Sequence, residues 1–203
     1  MIKNRLFLVF CYDFACFNAP LAQLVEQLPF KQTVVGSTPT RGTKVSNQKL
    51  DLSLIIHNIR SAYNVGAIFR TADGAGVSKI YLTGYTPLPK DQFGRTNKEI
   101  HKTALGAEEV VAWEQVKSVA SLIIRLKKAG REILALEQAE NSIDYRKVKI
   151  KFPATLLLGE EVRGVTKDLL KKCDQIIEIP MRGQKESLNV SVATGIAIYQ
   201  ILQ

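Results

Sequence analysis

Two short apolar runs near the end of the chain, Thr155–Leu158 and Ile176–Ile179, constrain its fold most. Each stops abruptly in a loop of Gly, Pro, Glu and Arg. Runs of this length bounded by turn formers read as strands buried on both faces, as in a parallel sheet. The second loop, Pro180–Glu186, feeds Ser187, whose hydroxyl can accept from the free amides of a first helical turn. Leu188, Val192, Ile196 and Tyr199 then recur at spacings of four and three, which predicts the inward face of a closing helix. Two strand-end loops beside a helix N-terminus are where α/β proteins bind ligands, so this C-terminal region is the candidate site.

Upstream, Leu52–Ile56 predicts a first strand. Asn64 is placed to cap a helix running to Thr71 or Asp73, with Val65, Ile68, Phe69 and Ala72 inward. Gly74 and Gly76 end it, and Val77–Leu82 predicts the next strand. Thr83–Lys98 carries Gly84, Pro87, Pro89 and Gly94 and reads as a long exposed loop, a length that in compact domains goes with function or mobility. A short helix at Glu99–Leu105, a strand at Val110–Trp113 and an amphipathic helix at Glu114–Ala129 follow. Then come a strand at Ile133–Leu136, a polar connection at Ile143–Ile150 and a basic helix at Lys167–Lys172. Strands alternating with helices predict an α/β domain with a mainly parallel sheet and helices on both faces.

With 203 residues, 46% of them hydrophobic, the chain can bury a real core. Its net charge of +9 favours an acidic partner, nucleic acid or an anionic membrane, although an ordinary basic cytosolic protein fits the charge equally. Nothing approaches the roughly 18 continuous apolar residues of a membrane span, and the expected compartment is the cytoplasm. Cys11, Cys16 and Cys173 lack metal or redox spacing, and with only His57 and His101 beside them no metal site is predicted. Residues 1–45 differ in character. Lys3 and Arg5 ahead of Leu6–Tyr12 resemble the start of a secretory signal, but Asp13 interrupts the run and no Ala-x-Ala site follows. The stretch LAQLVEQLPFKQTVVGSTPTRG reads better as a tRNA gene translated as protein. Translation is therefore expected to start near Val45 or Leu50 from a non-ATG codon, leaving 1–45 an irregular extension and 46–203 the functional domain.

Absent motifs narrow the chemistry. Gly74-Ala75-Gly76 lacks the third glycine of a dinucleotide fingerprint, and Gly159–Gly164 has phosphate-loop spacing but Val165-Thr166 where Lys-Ser/Thr is needed. Gly183–Ser187 is not a nucleophile elbow. Three segments that are present, NIRSAYNVGAIFRTADGAGVSKIYLTG (58–84), LLLGEEVRGV (156–165) and IPMRGQKESLNVSVATGIAIYQ (179–200), resemble in order the motifs of the SpoU (TrmH-like) branch of the SPOUT RNA methyltransferases. KTALGAEEVVAW (102–113) between them is similar to the family too, and the likeness spans Leu52 to the C-terminus.

The resemblance implies methyl transfer from S-adenosylmethionine to a ribose 2′-hydroxyl of tRNA or rRNA. It also implies a C-terminal trefoil knot and a homodimer with its site near the subunit interface. RNA-base methylation, and RNA binding without turnover, are the alternatives. Carried over residue by residue, it implies that Leu158, Gly159, Ile179, Met181, Leu188 and Asn189 hold the cofactor. Asn64 and Arg70 would face the reacting ribose, Glu161 would organise the loop and the substrate side, and Ser187 and Asn189 would orient Arg70. One departure stands out: Glu160 occupies the position where the family usually has Asn, and it could repel RNA phosphate or pair with Arg163.

Overall fold

A computed structural model describes residues 50–203. The expectations for the secretory-like start and the translated tRNA gene lie outside the described residues. Seven strands form one sheet in the order β3-β2-β1-β6-β4-β7-β5, and every neighbouring pair is parallel. They are β1 (Leu52–His57), β2 (Lys79–Thr83), β3 (Trp113–Val116), β4 (Glu132–Leu136), β5 (Ile143–Asp144), β6 (Ala154–Leu158) and β7 (Gln175–Glu178). β1 and β6 lie side by side near the middle and are buried on both faces, as their mostly apolar runs require, and the polar Ser53 and Thr155 bond each other at 2.8 Å.

The pleat sends alternate residues into two separate cores. Leu54, Ile56, Leu156 and Leu158 pack with helices α1 (Ala62–Ala75), α2 (Lys98–Ala104), α3 (Ala107–Val110) and α6 (Val190–Ile201). Ile55, Tyr81, Ile133 and Leu157 face the other way, toward α4 (Val119–Lys128) and α5 (Lys167–Leu170). Because all strands run the same way, the loops after β1, β2, β4, β6 and β7 emerge at one edge of the sheet. That common edge positions the site.

Several boundaries depart from expectation for local reasons. Glu114–Val116 forms β3, paired with Tyr81–Thr83, and α4 starts only after Ser118 caps it by accepting from the Ser121 amide. The strand expected at Val110–Trp113 begins instead at Trp113, behind the single turn of α3. Ser61, not Asn64, caps α1, accepting from the Asn64 amide at 3.3 Å. Within the polar connection 143–150, Ile143 and Asp144 add an edge strand to β7.

The largest correction concerns α6. Asn189 is its N-cap, accepting from the Ser191 amide at 2.9 Å, so Ser187 lies two residues outside the helix. The inward face consists of Thr194, Ala197, Ile198 and Ile201, while Leu188, Val192, Ile196 and Tyr199 are exposed. A helix that is apolar nearly all round has no periodicity to choose its buried side. The small residues decide: Gly195 and Ala197 let α6 lie close against α1, with Gly195 beside Thr71.

Candidate functional site: a cleft at the carboxyl edge of the sheet

The loops after β6 (159–166) and β7 (179–189) face each other across a cleft of about 580 Å3, within the range of small-molecule sites. Leu158, Gly159, Ile179, Met181, Leu188 and Asn189 all line it, as do Glu161 and Ser187. Gly159 is the tightest point. A Cβ there would lie 2.5 Å from the Gly164 carbonyl carbon and 2.6 Å from the Val165 nitrogen, so only glycine permits the loop to fold back on itself.

One chain of hydrogen bonds joins the cleft to two helix N-termini. The Glu161 carboxylate accepts from the Arg60 amide at 3.2 Å, the Ser61 amide at 3.4 Å and Asn64 Nδ2 at 3.1 Å. Asn64 Oδ1 in turn accepts from Asn189 Nδ2 at 3.1 Å, and Asn189 Oδ1 accepts from the amide and hydroxyl of Ser191. Asn64, Glu161 and Asn189, drawn from three distant motifs, thus meet in one network. Burial pushes the Glu161 carboxyl upward, but its backbone and Asn64 donors outweigh that and hold it below its ordinary range.

Holding Glu161 below its unfolded value makes its contribution to stability present above roughly pH 4.3 and lost as the pH falls through the lower folded value. Glu161→Gln is therefore expected to flatten the acid limb of stability relative to the parent. Urea unfolding at stepped pH below 6 measures the difference, and parallel acid limbs would contradict it.

Arg70 is not brought into this network. It lies six residues beyond Asn64 on α1, about 9 Å further along the axis and about 240° around it. Its side chain is exposed and makes no hydrogen bond or ion pair among the described residues. Ser187 reaches the cleft wall but likewise has no hydrogen bond there. Glu160 does not pair with Arg163; its carboxylate bonds the Arg60 guanidinium at 3.1 Å.

Two residues escaped the sequence reading. Glu137 and Gln138, just past β4, each clasp one of the cleft's loops. Glu137 Oε2 accepts from the Val165 amide at 2.6 Å, and Gln138 Nε2 donates to the Glu186 carbonyl at 2.8 Å. Their position at the carboxyl end of a parallel strand was the available signal, but it becomes visible only once β4 is known to lie between β6 and β7.

Residues 51–199 match the SpoU rRNA Methylase family. The chain belongs to that family. It is 31% identical over 169 residues to the tRNA (guanosine(18)-2′-O)-methyltransferase of Escherichia coli K12, covering 80% of this chain and 69% of that protein. To the 23S rRNA (guanosine-2′-O-)-methyltransferase RlmB of Pseudomonas aeruginosa it is 31% identical over 157 residues, or 77% of this chain and 60% of that one. The crystal structure of an AdoMet-bound rRNA methyltransferase from Sinorhizobium meliloti superposes with a TM-score of 0.66 at 29% identity. That match covers 74% of this chain and 55% of the other. This SpoU chain thus spans about two thirds or less of these relatives' lengths. Among its described residues no helix is long and apolar enough to cross a membrane.

Proposed function

We propose that this SpoU chain transfers a methyl group from S-adenosylmethionine to a ribose 2′-hydroxyl of tRNA or rRNA. The observation that carries the reading is the Glu161–Asn64–Asn189 network, closed at the rim of a cleft whose turn only glycine can make. The cleft's charge supports the donor. In a chain of net charge +9 its lining holds five acidic residues, Glu137, Glu160, Glu161, Glu178 and Glu186, against the lone Arg163. Such a lining disfavours a phosphate-bearing cofactor and suits a sulfonium cation with an ammonium group. Leu158, Gly159, Ile179, Met181 and Leu188 would hold the adenosine through backbone groups and apolar contact, with Asn189 at the helix start.

The donor, when bound, supplies a methyl group already activated on sulfur. What remains for the chain is alignment, with the hydroxyl proton passing to water. Alignment contributes about 7–11 kcal/mol in well-oriented systems. Glu161 fixes the N-terminus of α1 against the cleft loop, and Asn64 carries that constraint to α6, so the cofactor wall and substrate wall move as one body. Arg70 would stabilise negative charge forming on the ribose oxygen, since a guanidinium keeps its proton in water and rarely acts as a base.

In this reading Arg70 acts on that oxygen across a pair of copies. We infer a homodimer built on the exposed stripe of Val192, Ile196 and Tyr199, which leaves an apolar helix face uncovered in a single chain. Val192→Asp and Ile196→Asp are expected to shift the protein to monomer and to remove turnover; sedimentation velocity checks the first and methyl transfer the second. In the same reading residues 46–203 form the methyltransferase domain, the enzyme works in the cytoplasm, and the segment after β7 is threaded as a trefoil knot.

The test is transfer of tritiated methyl from the donor into RNA from cells lacking the gene, followed by alkaline hydrolysis. Label in alkali-resistant dinucleotides is expected. Label lost to mononucleotides would indicate base methylation, and cofactor binding without transfer would indicate an RNA-binding protein without turnover.

A further inference from the structure

Six cation–aromatic pairs occur among the described residues, and those with an exposed ring are not scattered. Arg60 over Tyr85, Lys102 over Tyr63 and Arg95 over Phe93 all fall between residues 60 and 102, on α1, α2 and the loops that precede them. These three aromatic residues are 51%, 46% and 71% exposed. The buried Tyr81, by contrast, takes two cations in a structural setting.

The pair of Arg60 and Tyr85 is built rather than incidental. Glu160 is only 9% exposed and spends its charge on an Arg60 side chain that is itself 68% exposed. The main chain of Arg60 is fixed as well, its amide bonded to Glu161. Tyr85 is held from below by Asn58, which adopts φ 59° and accepts from the Tyr85 amide at 3.3 Å. A largely buried side chain on Glu160, an asparagine in the left-handed region and the cleft residue Glu161 therefore hold an exposed cation and the main chain that carries an exposed ring. Arg60 bonds two residues of the cleft, and Tyr85 lies against Arg60. Among the described residues the guanidinium is bonded to Glu160 and the ring is left open to solvent.

We propose that Arg60 and Tyr85 form the platform that grips an unpaired RNA nucleotide next to the methylated one, the ring stacking on its base and the guanidinium meeting its phosphate. This rests on the methyltransferase reading and adds to it the way substrate is held. A stacked ring accepts any base, while a cation tied to a largely buried glutamate stays aimed without losing side-chain freedom on binding. The pair selects single strands, because a paired base offers no free face. It also gives Glu160 a role: the acid that replaces the family's usual Asn positions Arg60 instead of repelling RNA.

The experiment compares the full chain with Tyr85→Ala, Arg60→Ala and Arg60→Lys. The probe is a fluorescein-labelled single-stranded RNA of about 12 nucleotides and mixed sequence, read by anisotropy at several salt concentrations, with the same RNA annealed as a duplex control. Tyr85→Ala leaves the ion pair untouched and is expected to weaken single-strand binding by about 5- to 150-fold. Arg60→Ala is expected to weaken it too and to lower the salt slope by about 0.7, and Arg60→Lys to restore the slope but not the full affinity. Donor affinity by calorimetry should stay constant, and in turnover assays KM for RNA should rise more than kcat falls. Unchanged affinity in Tyr85→Ala, no single-strand preference in the parent, or a change of oligomeric mass in place of RNA affinity would each overturn the platform. If the platform holds and no methyl is transferred to any RNA, the methyltransferase reading fails while this one stands.

Discussion

Arg70→Ala is expected to lower kcat for methyl transfer by about 100- to 1,000-fold, the loss typical when one donor to a developing oxyanion is removed. Donor affinity should be unchanged, because Arg70 does not line the cleft. The expectation follows from what the side chain lacks. It is exposed on α1 and makes no hydrogen bond or ion pair among the described residues, so deleting it leaves no buried group unsatisfied and costs the fold little. A purely structural arginine would give the opposite pattern, lost stability with turnover intact. The sharper version uses mixed dimers. A protomer carrying Arg70→Ala but an intact cleft, paired with one carrying a disabled cleft but an intact Arg70, holds one complete site only if the arginine acts across the interface. Recovery of activity in the mixture, from two parents that have none, is expected. A dead mixture with proven heterodimer would place the arginine in its own subunit's site, and catalysis would then no longer require two copies to pair.

How far the sequence led can be judged from particular elements. β1 and β6 were legible because strands buried on both faces leave mostly apolar runs, and turn formers bound them. The loops after β6 and β7 were legible as a site because Gly and Pro end those runs abruptly. Glu114–Val116 reads as the start of a helix because Val116, Val119 and Ala120 satisfy helical spacing whether or not the strand is there; pairing with Tyr81–Thr83 decides it, and that contact is not local. The inward face of α6 fails for a related reason. Leu188, Val192, Ile196 and Tyr199 do share one side, and burial in a single chain goes to Thr194, Ala197, Ile198 and Ile201 opposite. Glu160's partner was beyond reach, since Arg60 lies 100 residues away in sequence and only the adjacency of β1 and β6 brings the two together.

Gly159→Ala is the second large effect, and it should strike binding rather than catalysis. The added methyl carbon would stand 2.5 to 2.7 Å from the Gly164 carbonyl and the Val165 nitrogen, closer than real side-chain carbons come to backbone. Neither neighbour can yield freely. Gly164 already occupies the left-handed region at φ 64°, and the Val165 amide is donated to Glu137 at 2.6 Å, so relief requires breaking that clasp and opening the loop. Overpacking of this kind costs about 1–3 kcal/mol of stability. The same displacement moves the wall that would meet the adenosine, and donor affinity should fall by about 100-fold, or roughly 2.7 kcal/mol. Gly183→Ala supplies the contrast, because a Cβ there meets nothing within 4 Å on the opposite loop. Calorimetric titration of both variants with S-adenosylmethionine is expected to separate them cleanly. If Gly159→Ala binds the donor as well as Gly183→Ala does, the close turn after β6 is not what shapes the cofactor wall, and the cleft's ligand must contact it elsewhere.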